Sequence, residues 1–158
     1  MKPVRIISSG EALARMQNLC STHEKCSGDV REKLRQWNIS EAESIKIIDL
    51  LKKDKFIDDH RFTEFFVRDK QKINKWGKEK IRYALKNKGL GQDIINEALS
   101  TLPEENFESA LRESLSKKSL ELGKYKSYEK KNRLIRFAIQ RGFDYDLIFR
   151  VVDDYTGD

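Results

Sequence analysis

Three groups of side chains in this sequence have the types and spacing to do chemistry. The first is the adjacent pair Asp58-Asp59. Two carboxylates work as an acid/base couple when they flank a substrate at a defined separation, which neighbours at a helix start do not by themselves provide. Adjacent acids there do satisfy free backbone amides and oppose the positive end of the helix dipole, so Asp58 or Asp59 is read as a cap. The second group is Cys20, His23 and Cys26, with the C-x2-H-x2-C spacing of a metal clasp. A structural zinc site takes four ligands, and only three are local, with His60 the one other imidazole able to complete the set. Half-buried cysteines without metal are common, and no metal is assigned.

The third group is cationic. Lys75, Lys78, Arg82 and Lys86 step by three or four residues, the spacing of one continuous helical stripe, and flank the apolar pair Ile81/Leu85. Lys70 and Lys72 lead into it, while Lys126, Lys130 and Arg133 repeat the spacing farther along. These nine residues are the candidate contacts. Such stripes attract nucleic-acid phosphates or an acidic protein surface; equally, they serve as a solvated face. Trp76 stands among Lys72, Lys75 and Lys78, where it either stacks on a base or staples helices together, and packing is the preferred reading. Phe62, Phe65, Phe66, Phe107 and Phe137 fall at core spacings. There is no Gly-rich phosphate loop, no nucleophile with a partner base and no cofactor fingerprint, so the expectation is a binding protein without a cofactor and not an enzyme.

The elements that must position these residues are visible in the composition and in a repeat. In 158 residues, hydrophobic side chains make up 38% and charged ones 37%, against averages of about 45–50% and about 25%. That mix favours a thin, extended core. No apolar run is long enough to span a membrane, and the start lacks a secretory h-region, so a cytoplasmic protein is expected. The net charge of +6 is uneven. Residues 68–88 and 117–141 each hold nine Lys or Arg against two acids, whereas 103–113 and 144–158 are acidic.

Ile39, Leu90 and Phe143 anchor three copies of one apolar register, 51 and 53 residues apart. Val30, Ile81 and Leu134 lie nine upstream, and Leu34, Leu85 and Ala138 five upstream. Ile47/Ile48, Ala98/Leu99 and Val151/Val152 follow at eight and nine downstream, and Leu51, Leu102 and Tyr155 at twelve. Asn38, Gly89 and Gly142 precede the anchors and suit the left-handed residue that closes a helix. Ser40-Glu41-Ala42-Glu43 has capping-box spacing, and Asp144 is a cap for the last copy. Each copy therefore reads as helix, turn, helix. A further helix precedes each pair: residues 11–20, 59–73, and 103–122 carrying Phe107, Leu111, Leu115 and Leu120. Val4-Arg5-Ile6-Ile7 is the one short strand candidate.

The predicted fold is all-α: three tandem three-helix repeats forming an elongated, curved array. The expected division is a tail at residues 1–9 and repeats at 10–56, 57–102 and 103–158. Units of about 50 residues have small cores and lean on their neighbours.

The ordered motifs Phe56-Ile57-Asp58-Asp59-His60-Arg61-Phe62, Trp76-Gly77-Lys78-Glu79-Lys80-Ile81, Lys88-Gly89-Leu90 and Arg141-Gly142-Phe143 resemble those of the bacterial RecX regulatory family over about residues 11–155. The resemblance implies tandem three-helix repeats and an accessory protein, here expected to be a monomer, that binds the RecA recombinase filament. It implies restraint of the filament's ATPase and strand exchange in recombination and repair, with single- or double-stranded DNA as a further partner. Lys25-Cys26-Ser27 departs from the many relatives that carry an Arg before the Ser opening the second helix, and the first module matches least. The rival expectation is a stand-alone DNA-binding protein using a helix-turn-helix-like module.

Overall fold

A computed structural model describes residues 6–157. Among them lie nine α-helices: α1 Ser9–Thr22, α2 Ser27–Gln36, α3 Glu41–Lys53, α4 Asp59–Lys72, α5 Lys78–Asn87, α6 Gln92–Ser100, α7 Glu104–Glu121, α8 Ser127–Gln140 and α9 Tyr145–Val151. A 3-10 turn, Val152–Tyr155, follows α9. Residues 1–5 of the expected tail, with half of the Val4–Ile7 strand candidate, lie outside the described residues; Ile6 and Ile7 form no strand.

The helix ends follow from local chemistry. Asn38, Gly89 and Gly142 have φ of 59°, 82° and 87°, the left-handed conformation their residue types favour. The Ile39 and Phe143 amides donate back to the Leu34 and Ala138 carbonyls at 3.0 and 3.2 Å. This is the closing bond of a Schellman turn, a motif in which the residue after the left-handed one commonly makes an apolar contact with the residue five places before it. Lys55 and Lys75 also adopt left-handed φ, 60° and 57°, without a residue type that announces it.

Starts are more varied. Ser40 Oγ accepts from the Glu43 amide at 3.3 Å, but the Glu43 carboxylate takes the Ser9 hydroxyl at 2.8 Å. The complete capping box is instead at α2, where Cys26 Sγ accepts from the Asp29 amide and Asp29 Oδ2 from the Cys26 amide. Asp144 stands at the start of α9 without a side-chain cap bond.

The residues fall into two compact units. One takes those up to Thr63 with Lys88–Leu90; the other takes Glu64–Asn87 and Gly91 onward. In the first, α2 and α3 pack on each other and α3 on α1, enclosing Ala12, Met16, Val30, Leu34, Ile47, Ile48 and Leu51. Asp59 ties in from a distance, its carboxylate accepting the Ser27 amide at 2.8 Å and the Ser27 hydroxyl at 2.5 Å. In the second unit, α7, α8, α9 and the 3-10 turn enclose Leu111, Leu115, Leu134, Ala138, Ile148 and Val151. Gln71 fastens the end of α4 to α7 through the Asn106 carbonyl at 2.8 Å.

Every register position is buried or half-buried. Three expected apolar contacts are not: Phe65, Ile73 and Leu120 are exposed. Leu120 comes five residues after Leu115, about 140° around the helix, whereas Phe107, Leu111 and Leu115 step by four and stay on one face. Phe65 is displaced because the buried face of α4 runs through Phe62, Thr63 and Val67. Thr63 tolerates full burial because its hydroxyl bonds the Asp59 carbonyl at 2.6 Å.

Candidate contact surface

All nine candidate cations belong to the second unit. Lys70 and Lys72 lie on the last turn of α4, and Lys78, Arg82 and Lys86 on α5. Lys75 does not continue their stripe. It sits in the α4–α5 connection with φ of 57°, and the next amide, of Trp76, bonds back to the Lys70 carbonyl at 3.1 Å. A left-handed residue stops a helix, so the continuous stripe from Lys75 is corrected to one beginning at Lys78. Lys126 stands at the N-cap of α8, with Lys130 and Arg133 on that helix.

Five of the nine are occupied. Lys75 Nζ lies 3.3 Å from Glu113 Oε2. Lys78 pairs with Glu104 and covers the Phe107 ring at 5.2 Å. Arg82 bonds Asn96 and lies 3.7 Å from Glu79. Arg133 pairs with Glu129 at 3.3 Å and lies over Tyr125 at 4.1 Å. Lys70 covers Phe66 and Trp76 at 5.4 and 5.1 Å. Among the described residues, Lys72, Lys86, Lys126 and Lys130 have no side-chain partner.

Trp76 packs, in line with the preferred reading. Its ring meets Phe66 edge-on at 6.4 Å, and Lys80 joins Lys70 over it at 4.6 Å. Of the remaining aromatics, Phe107 is buried and Phe137 half-buried.

The two basic zones, distant in sequence, meet in one groove of about 540 Å³. Ile73, Asn74 and Lys75 from the α4–α5 connection face Glu113, Lys117 and Lys118 of α7, with Arg141 at the end of α8. The Gly77 amide donates to the Arg141 carbonyl at 2.7 Å and the Glu79 amide to the Gly142 carbonyl at 2.9 Å, fixing this juxtaposition. Arg141 Nη1 donates to the Asn74 carbonyl at 3.0 Å. The Lys75 ammonium, with that of Lys117 beside it, holds the Glu113 carboxyl below its usual range. Sequence reasoning placed Lys117, Lys118 and Arg141 within a basic zone but gave no sign of their convergence with Lys75, because no local spacing encodes it.

The other chemical candidates have structural work. Asp58 Oδ1 accepts from the Arg61 amide at 3.1 Å, the cap expected, and that bond keeps its carboxyl low. Cys26 is buried as the α2 cap, and burial pushes its thiol up to about 11. Cys20 is half-buried and both His23 and His60 are exposed. Among the described residues no three His, Cys, Asp or Glu side chains converge to hold a metal ion. No helix there is long and apolar enough to cross a membrane.

Comparison with known proteins agrees with the motif order. Residues 58–99 match the family model of the second three-helix domain of RecX, and residues 104–152 that of the third. The chain is similar to the regulatory protein RecX of Clostridium botulinum strain Eklund 17B, with 39% identity over 132 residues, 82% of this chain and 61% of that protein. The corresponding Clostridium acetobutylicum protein is 34% identical, covering 82% and 62%. The chain thus spans about three-fifths of the length of these curated relatives. A crystal structure of a RecX from Lactobacillus salivarius shares the fold, with a TM-score of 0.80, 22% identity, and coverage of 93% of this chain and 96% of that one. A second crystal structure of a regulatory protein RecX gives a TM-score of 0.84 at 21% identity over 92% of this chain and 71% of that one. The all-helical frame, the paired domain matches and the named relatives together place the chain in the RecX family of regulatory proteins.

Proposed function

We propose that the chain regulates the RecA recombinase by binding the RecA–DNA filament and restraining its ATPase and strand exchange. What carries the reading is membership in a family whose relatives are named regulatory proteins, joined to four lysines of the second unit, Lys72, Lys86, Lys126 and Lys130, that have no side-chain partner among the described residues. The chain acts in the cytoplasm as a monomer, by binding and not by catalysis. Its repeats are residues 10–56, 57–102 and 103–158. Small modules in series sum weak contacts through effective concentration, and inhibition requires tighter binding to an inactive filament arrangement than to the active one.

Among the nine candidates, the four unpaired lysines are the ones free to meet the partner first; Lys70, Lys75, Lys78, Arg82 and Arg133 would have to leave a ring or a carboxylate. The test is RecA's DNA-dependent ATPase with and without the protein. The expected result is a slower ATPase, with the effect weakened by Lys86→Glu combined with Lys130→Glu while helical circular dichroism is unchanged. An ATPase unaffected by excess protein overturns the reading. Tight, salt-sensitive binding to bare duplex alongside that null result would establish the stand-alone DNA-binding rival.

A further inference from the structure

We infer that the groove between the α4–α5 connection, α7 and the end of α8 is a docking site for an acidic peptide segment that carries an apolar side chain. The inference rests on the reading of the chain as one that binds a protein partner, and it names the chemistry of the contact.

Charge complementarity comes first. Lys75, Lys117, Lys118 and Arg141 line the groove against Glu113 and Glu121, so an anion is the favoured guest. The apolar component is Ile73, which lines the same groove while 70% exposed. An exposed isoleucine gains nothing from a phosphodiester backbone but does gain from an apolar side chain it can bury. The aromatics speak against a nucleobase. Phe137 is covered by Lys118 at 5.5 Å and Arg141 at 5.1 Å, leaving it poorly placed as a stacking platform. A nucleic-acid strand, with a charge at every phosphate, would also meet Glu113 and Glu121 at close quarters. A peptide can space its carboxylates to avoid them.

Glu113 is the resident that a guest carboxylate replaces. It lies 3.3 Å from Lys75 Nζ and 3.4 Å from Lys117 Nζ, bridging the two basic zones. Docking trades one carboxylate for another at these lysines. Arg141 keeps donors to spare, since a guanidinium has five N–H groups and one bond holds Arg141 to the Asn74 carbonyl. The net gain then comes from Arg141 and from burial of Ile73, so binding is weak and selective for segments that combine both features.

The experiment is fluorescence anisotropy of the full chain with a labelled poly-glutamate peptide carrying interspersed leucines, with unlabelled oligo-dT as competitor. Wild-type protein binds the peptide, and oligo-dT does not displace it. Glu113→Gln frees both lysines and tightens binding roughly two- to tenfold, the scale of two partly exposed pairs. Lys117→Glu weakens binding by a similar factor, and Ile73→Ser weakens it without changing its salt dependence. Because all three residues are exposed, the variants keep wild-type circular dichroism. Absence of peptide binding, an unchanged Glu113→Gln, or oligo-dT competition together with an inert Ile73→Ser overturns the proposal, the last by assigning the groove to nucleic acid. RecA is absent from this titration, so its failure and failure of the ATPase test are separate results.

Discussion

Gly77→Ala tests how the second unit holds its two basic zones together. A Cβ on Gly77 would stand 2.3 Å from the Gly142 carbonyl carbon and oxygen and 2.4 Å from the Phe143 nitrogen. These are backbone atoms in a turn that is itself closed by the Gly142 and Phe143 amides bonding to Ile139 and Ala138, so no side-chain rotation relieves the clash. The segments must part by about 1 Å to reach ordinary contact. That movement breaks the bonds from the Gly77 and Glu79 amides, made at 2.7 and 2.9 Å. Two hydrogen bonds at about 1 kcal/mol each and an overpacking term of about 1–3 kcal/mol give a loss of about 3–5 kcal/mol. In a chain of this size each kcal/mol lowers Tm by about 2–4 °C, so a fall of roughly 10 °C is expected. Gly91→Ala is the control: nothing lies within 4 Å of its Cβ position and its φ is −71°, so only the poorer N-cap character of Ala opposes it and its effect stays within about 1 kcal/mol. Thermal melts followed by far-UV circular dichroism decide it. If Gly77→Ala melts with Gly91→Ala, the backbone contact does not hold the groove as argued.

Asp59→Ala removes the acceptor of the Ser27 amide and hydroxyl and is expected to cost about 2 kcal/mol in urea denaturation, with Ser27→Ala costing about half of that; a wild-type midpoint for Asp59→Ala would refute the tie. In the native protein a thiol reagent should modify half-buried Cys20 first and reach Cys26, with its raised thiol, only on unfolding, so simultaneous labelling would count against the buried cap. The pH dependence follows from carboxyls held low in the fold. The Arg61 amide depresses Asp58; for Asp29, burial alone would raise it, but Lys88 and the Cys26 amide outweigh burial. Stabilisation by a depressed carboxyl is full above its unfolded value, about 3.9, and is lost as pH falls through the lower folded value. Asp29→Asn should therefore reduce the stability lost between neutral pH and about pH 3, as measured by urea midpoints, and an identical loss in the variant would contradict the assignment.

What was legible in the sequence is what is local or periodic. The six-position register is the buried seam of the helices, and its anchor is the residue whose amide closes the Schellman turn, as Ile39 and Phe143 show. Asn38, Gly89 and Gly142 betray left-handed φ through residue type, whereas Lys55 and Lys75 adopt the same conformation without such a type, which is why spacing alone wrongly set Lys75 on the helical stripe. Leu120 was a failure of phase rather than of principle, since a step of five already rotates it off the face. Long-range partners were beyond reach altogether. No spacing rule connects Asp59 to Ser27, Gly77 to the Gly142 turn, or Lys75 to Glu113.

Those long-range partners change the meaning of the charge. Each basic zone sums to a large positive number in the sequence, yet its cations divide into two kinds in the fold. Lys72, Lys86 and Lys126 are exposed and Lys130 half-buried, none with a side-chain partner among the described residues, and their attraction for an anion acts at a distance and is screened by salt. Lys75, Lys117 and Lys118 are already matched with Glu113 and Glu121, so a newcomer gains from them only by displacing a carboxylate. Free lysines speed encounter with many anionic surfaces and discriminate little among them. Matched lysines discriminate, because a guest must replace the resident acid and also offer Ile73 something apolar. On the proposed reading, the second unit would approach its target through the first kind and choose it through the second.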